Sequence, residues 1–73
     1  GGAELDLFVI HGMRRIGFEF KYTDSPKTTR SMHIAMEDLN LDHLYIVHPG
    51  KNSFPIQQKI TALVLKDLAD KLS

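Results

Sequence analysis

The sequence has 73 residues, of which nine are basic and nine are acidic, so its formal net charge at pH 7 is zero. A chain of this length forms at most one domain with a small core, and its neutrality removes the long-range attraction typical of dedicated nucleic-acid binders. The lack of cysteine excludes disulfides, zinc-thiolate sites and thiol catalysis. Every apolar run is shorter than the roughly 18 residues that span a bilayer, so we expect a soluble, cytoplasmic protein without a membrane partner.

The pattern of residues in the first third of the chain predicts a β-hairpin. Apolar and polar residues alternate over residues 4–10 and 15–22, which predicts two strands. Gly12 and Met13 would be the central residues of the turn, because glycine supplies the positive φ that a primed turn requires. This turn pairs His11 with Arg14 and sets the register. The predicted core face, which we expect to meet the following helix, comprises Leu5, Leu7, Val9, Ile16, Phe18, Phe20 and Tyr22.

The rest of the chain predicts a helix, two strands and a second helix. Thr28 or Thr29 can cap a helix that runs to about Asn40, since apolar residues recur there on one helical face. The nearly continuous apolar run at 44–47 predicts a strand over 44–48 that is covered on both faces and runs parallel to 15–22 through a right-handed crossover. Residues 51–58 are predicted to form a surface loop, 59–64 a strand and 65–72 a short helix. We therefore predict an α/β (α+β) fold with a mixed sheet and the order ββαββα.

Charged residues on the hairpin form a candidate catalytic site. In the predicted register Asp6 lies opposite Glu19 and Glu4 lies opposite Lys21, on one face. Opposed carboxylates, roughly 4.5–5.5 Å apart at Cβ, repel each other unless a cation or a proton lies between them. Asp6, Glu19 and the backbone carbonyl of Phe20, with Glu4 as a further candidate, could bind Mg²⁺. Lys21 would then orient or deprotonate a metal-bound water, and the alternative is a solvated polar face without a ligand.

Five segments together cover nearly the whole chain, namely GGAELDLFV, RIGFEFK, SPKTT, SMHIAMEDLNLDHLYIVHPG and ITALVLKDL. They resemble the C-terminal domain of a poorly characterised family of bacterial and archaeal ATPases. Those proteins carry an AAA-type P-loop module, a winged-helix-like middle and a restriction-endonuclease-like end of the PD-(D/E)XK superfamily. In that superfamily an Asp on one core strand is followed by Glu-x-Lys on the next, which Asp6, Glu19 and Lys21 match.

The resemblance implies that residues 1–73 are a single nuclease-like domain and a fragment of a larger ATPase. It implies a truncated restriction-endonuclease-like core, without the superfamily's first helix, its first strand and the acid on that helix. The implied activity is Mg²⁺-dependent phosphodiester hydrolysis on DNA, with Asp6, Glu19 and Lys21 as catalytic residues and the ATPase module as a partner. The fragment alone is expected to be inactive. The alternative is an inactive structural, partner-binding or regulatory domain of that ATPase.

The histidines have simpler interpretations. His33 and Glu37 lie one helical turn apart, a spacing more typical of a polar helix face than of a metal site. His48 precedes Pro49 at the carboxyl end of a predicted strand, where the ligand sites of parallel sheets gather. A single histidine in that position does not define a site.

Overall fold

A mixed sheet of five strands lies at the centre of the structure, a computed structural model that describes residues 5–73. The strands are β1 (Leu7–His11), β2 (Arg14–Phe20), β3 (His43–His48), β4 (Phe54–Gln57) and β5 (Ile60–Val64). Helix α1 (Arg30–Asp38) connects β2 to β3, and a 3₁₀ turn (Leu65–Asp67) leads into helix α2 (Leu68–Leu72). The strand order is β1-β2-β3-β5-β4, with parallel pairs in the middle and an antiparallel pair at each edge. The predicted mixed sheet is confirmed.

The hairpin has the predicted register. Gly12 has a φ of 65°, in the left-handed region that glycine adopts without a steric penalty, and His11 pairs with Arg14. The pairing stays in register as far as Leu7, where β1 begins. Both strands are shorter than predicted, because the chain bends before Leu7 and β2 ends at Phe20.

Helix α1 begins and ends where its sequence predicts. The Thr29 side chain accepts a hydrogen bond from the Met32 backbone N–H at 3.3 Å and so caps the first turn. Asn40 has a φ of 50°, the left-handed conformation that ends many helices. The next N–H, that of Leu41, donates to the Met36 carbonyl at 3.0 Å. These contacts satisfy backbone groups that the helix ends would otherwise leave unpaired.

The predicted parallel pairing of β2 with β3 is confirmed, and its amino end is held by side-chain hydrogen bonds. The Arg15 N–H donates to the Asp42 carboxylate at 2.8 Å, and the Asp42 N–H donates to the Arg15 carbonyl at 2.7 Å. Arg15 Nε also donates to the Leu39 carbonyl at 2.7 Å. The chain leaving α1 is therefore fixed to β2 directly before β3 begins.

Helix α1 packs on the opposite face of the sheet from the predicted one. Its Met32 belongs to a buried cluster with four residues of the following strands and turn, namely Leu41, Leu44, Ile46 and Ile60. Phe18 lies in a second cluster, with Ile16, Val47 and Leu63, against which Leu68 of α2 packs. The two clusters are on opposite faces because neighbouring residues of β3 alternate between them. Alternation identifies residues that share a face but not the helix that covers it.

The carboxyl end of β2 is less covered than predicted. Phe18 is fully buried, whereas Phe20, two residues further along the same face, is 43% exposed and Tyr22 is 99% exposed. The second cluster includes neither of them. The expectation that Phe20 and Tyr22 belong to the core is therefore wrong.

Leu5 also departs from the predicted alternation. It packs against the first cluster, on the α1 face, because the chain bends at Asp6 before β1 begins. A Cβ at Gly17 would lie 2.7 Å from Cδ1 of Leu5 and 2.7 Å from Cδ1 of Leu41. The missing side chain of Gly17 thus allows both leucines to close over the sheet.

Strand β4 lies in a segment predicted to be a loop. It pairs with β5 at the edge of the sheet, and its register shifts between Pro55 and Gln57. Proline is tolerated at an edge, where its missing N–H costs no ladder hydrogen bond. The order of elements is accordingly ββαβββα. Within residues 5–73, no helix has the length and apolar character needed to cross a membrane.

Candidate functional site

The predicted acidic pair lies beside the carboxyl end of β2. Asp6 is at the bend before β1, where its N–H donates to the Phe18 carbonyl at 3.2 Å. One of its carboxylate oxygens, Oδ2, accepts the Phe20 N–H at 2.7 Å. The Asp6 side chain therefore takes the position that a backbone carbonyl of β1 would have had if the ladder had continued. This bond fixes the carboxylate at the edge of β2.

The other two predicted catalytic residues, Glu19 and Lys21, both affect the pKa of Asp6. The pKa of Asp6 is lowered, first by the Phe20 N–H, then by a hydrogen bond with the Glu19 side chain and by the positive charge of Lys21. Slight burial opposes this decrease in pKa. Asp6 is therefore hydrogen bonded both to the Phe20 backbone and to the Glu19 side chain. The structure thus brings Asp6, Glu19 and Lys21 together at one place.

The metal ligands predicted around this pair are only partly described. Phe20 contributes its N–H to Asp6, and a role for its carbonyl as a Mg²⁺ ligand stays a prediction. Glu4 lies outside the described residues. Among residues 5–73, no three His, Asp or Glu side chains cluster closely enough to form a metal site. Two carboxylates could hold a hydrated Mg²⁺, which keeps several water ligands, and Lys21 could stabilise an oxyanion beside it.

A cleft close to Lys21 was not predicted. It lies where β2 and β3 end, and its volume is about 650 Å³. Two loops and two strand residues line it, namely Tyr22, Thr23, Asp24, His48, Pro49, Gly50, Lys51, Asn52 and Phe54. Lys21 is adjacent, because its N–H donates to the Val47 carbonyl at 2.9 Å, directly before His48. Only the position of His48 at a strand end could have indicated this cleft in the sequence.

His48 differs from the other histidines because it is buried, with 2% of its surface exposed. Its Nδ1 accepts the Gly50 N–H at 3.1 Å. Its Nε2 is buried and has no hydrogen-bond partner within residues 5–73. By contrast, His33 and Glu37 are both exposed on α1, as expected for a polar helix face.

Sequence comparison gives the family but not its activity. Residues 1–68 match the family described as a domain of unknown function, DUF4143. The chain belongs to this family. Two relatives of this DUF4143 chain are uncharacterized proteins of Mycobacterium bovis and Mycobacterium tuberculosis, each 46% identical over 61 residues. The match covers 84% of the chain but only 14% of each relative. No solved structure matches.

Proposed function

We propose that this DUF4143 chain is a PD-(D/E)XK nuclease-like domain that supports metal-dependent hydrolysis of DNA phosphodiesters within a larger AAA-type ATPase. The observation that carries the proposal is the Asp6 carboxylate, which is fixed by the Phe20 N–H in contact with Glu19 and near Lys21. Two acids and a lysine at the end of one strand are the groups that such a reaction uses. The ATPase module and DNA are proposed partners, and both follow from the family resemblance.

Each residue of the group has a proposed role. Mg²⁺ would replace the hydrogen bond between Asp6 and Glu19, since deprotonated carboxylates are hard oxygen ligands that this cation prefers. Lys21 would orient the attacking water or stabilise the charge that develops on the phosphate. Because the pKa of Asp6 is already lowered, this acid is ionised and available to a cation at neutral pH.

A second candidate function is a binding or regulatory domain without turnover. The observation that favours it is that Asp6 already has partners without a metal, because its Oδ2 accepts the Phe20 N–H and its carboxylate is hydrogen bonded to Glu19. A pair satisfied in this way needs no cation for stability. The two candidates differ in whether a divalent cation binds between Asp6 and Glu19.

A titration with Mg²⁺ or Mn²⁺, followed by the amide resonances of Phe20 and Lys21, separates them. Binding in the millimolar range, roughly −4 kcal/mol, is expected, with shifts confined to this end of β2. The double variant Asp6→Asn/Glu19→Gln should lose these shifts, whereas the control Asp70→Asn on α2 should keep them. Shifts that persist in the double variant, or are absent from the parent, would contradict a metal site at this pair.

A cleavage assay on DNA tests the activity itself. We expect no measurable nicking by the 73-residue chain and Mg²⁺-dependent nicking by the longer protein that contains it. Lys21→Ala should abolish nicking there, and Lys66→Ala should not. Equal activity of the Lys21→Ala protein and the parent would favour the second candidate.

A further inference from the structure

The cleft at the carboxyl ends of β2 and β3 has the size and position of a ligand site. Its volume of about 650 Å³ is within the range of small-molecule sites in proteins. Its walls are the loop that leaves β2 and the loop that leaves β3, which are neighbouring parallel strands. Ligands of open sheets with parallel strands bind at this edge.

The orientation of the His48 ring is fixed by the backbone of the second loop. Because Nδ1 accepts the Gly50 N–H, the neutral imidazole carries its proton on Nε2. A Cβ at residue 50 would lie 2.8 Å from Nδ1, so glycine allows this close approach. Nε2 is therefore a buried donor without a partner in the described part of the chain. This tautomer disfavours a metal at Nε2, because a metal needs that nitrogen unprotonated.

The charges and rings around His48 indicate the chemistry of the missing acceptor. Lys51 lines the cleft and Lys21 adjoins it, against one lining acid, Asp24. Tyr22 is 99% exposed and Phe54 37% exposed, which leaves two aromatic rings at the cleft for stacking. A ligand with an anionic oxygen next to a planar ring satisfies the cations, the donor and both aromatic residues.

We propose that this cleft binds one nucleotide unit, with its phosphate held by Lys21, Lys51 and the Nε2–H of His48 and its base against Tyr22 or Phe54. The choice of a nucleotide rests on the proposed function, since Lys21 of the proposed catalytic group adjoins the cleft. Nε2 is buried, so the proposal requires a neighbouring side chain to move; the Phe54 ring is one neighbour, with its centroid 5.8 Å from that of the imidazole. Asp24 accepts from the base or the sugar.

The test is a titration with a deoxynucleoside 5′-monophosphate, without divalent cations and with EDTA, followed by NMR. The Gly50 amide and the His48 Nε2–H should shift, and the latter should move downfield as it gains an acceptor. The matched deoxynucleoside and inorganic phosphate should each bind more weakly than the monophosphate. Absence of shifts at His48 and Gly50 with the monophosphate, or equal binding of the deoxynucleoside, would overturn the inference.

Two substitutions of His48 isolate the donor. His48→Asn keeps an acceptor near the Gly50 N–H but is too short to place its NH₂ at the position of Nε2, and should weaken nucleotide binding about ten- to a hundredfold. His48→Gln keeps a donor near the position of Nε2 and should lose less. Lys51→Gln and Tyr22→Ala change exposed residues, which the fold does not need, and each should also weaken binding. Unchanged affinity in both surface variants would overturn the inference even if the His48 variants unfold.

The acidic pair provides the control that separates this inference from the proposed function. Asp6→Asn/Glu19→Gln should retain the nucleotide-induced shifts at Gly50, because no Asp6 or Glu19 oxygen lines the cleft. His48→Asn should retain the Mg²⁺ response of Phe20. In the unsubstituted chain, nucleotide binding without a Mg²⁺ response contradicts only the nuclease proposal, and a Mg²⁺ response without nucleotide binding contradicts only the nucleotide site.

Discussion

The two ends of the parallel strands β2 and β3 are built differently. At the amino end, Asp42 exchanges two hydrogen bonds with the Arg15 backbone, and the His43 ring is 2.8 Å from the Thr61 hydroxyl. At the carboxyl end, Phe20 is partly exposed, a cleft separates the two loops, and the His48 Nε2 is unpaired within the described residues. At the amino end these polar groups have hydrogen-bond partners in the protein, whereas at the carboxyl end the buried donor of His48 has none within the described residues.

This difference separates stability from binding. Satisfied hydrogen bonds at the amino end stabilise the junction between α1 and β3. A buried donor left without an acceptor costs stability, and such a cost persists in proteins most often where a ligand compensates it. Substitutions at the amino end should therefore change folding, and those at the carboxyl end should change binding.

The largest expected effect compares two phenylalanines on one face of β2. Phe18→Ala should lower the free energy of unfolding by about 3–5 kcal/mol, because its fully buried ring would leave a cavity. Phe20→Ala should cost only about 1 kcal/mol, since 43% of that residue is already exposed. Urea unfolding followed by circular dichroism measures both. If both substitutions lowered the free energy of unfolding equally, burial would not decrease towards the carboxyl end of β2.

An intermediate effect is expected for the acid at each end. Asp42→Ala removes the acceptor of the Arg15 N–H and should destabilise the fold by about 1 kcal/mol, a value reduced by the exposure of Asp42. Asp24→Ala, in the loop at the carboxyl end, should change stability by less than about 0.5 kcal/mol. Its carboxylate has one long hydrogen bond, 3.5 Å from the neighbouring Ser25 hydroxyl. If Asp24→Ala lowered the free energy of unfolding more than Asp42→Ala, the carboxyl end, and not the amino end, would be the one that contributes stability.

The smallest expected effect is on the titration of His43. Burial lowers the pKa of His43, and the positive charges of Arg14 and Lys71 lower it further. Neutral His43 therefore contributes stability above its ordinary pKa of about 6.5, and this contribution is lost as the pH falls through the lower folded value. Arg14→Gln should raise the His43 pKa, as measured by NMR titration of the ring. Lys51→Gln, a matched loss of charge at the opposite end, should leave it unchanged.

The sequence predicted the order of elements well because local signals mark them. Gly12 set the hairpin register, and Thr29 and Asn40 marked the ends of α1. The layer that covers Phe18 was not predictable, since both faces of β3 are apolar and alternation alone does not place a helix. Strand β4 was missed because Pro55 is unfavourable in most strands and is acceptable only at a sheet edge.

The proximity of Asp6, Glu19 and Lys21 followed from register and alternation. The bend at Asp6 did not, because it depends on a hydrogen bond between its side chain and the Phe20 backbone rather than on a local propensity. The cleft around His48 depends on two loops that are more than 20 residues apart in sequence, so no local pattern contains it. Long-range contacts between loops were thus the part that sequence reasoning missed.

The two edge strands of the sheet, β1 and β4, also differ in how well they resist pairing with another chain. β4 carries Pro55 and a register shift, two features that discourage another chain from adding to an edge. β1, with the sequence LFVIH, has neither proline nor a lysine, and Ile10 on it is 59% exposed. Self-association of the purified protein should therefore begin at β1. A lysine in place of Ile10 would be the simplest way to keep concentrated samples monomeric.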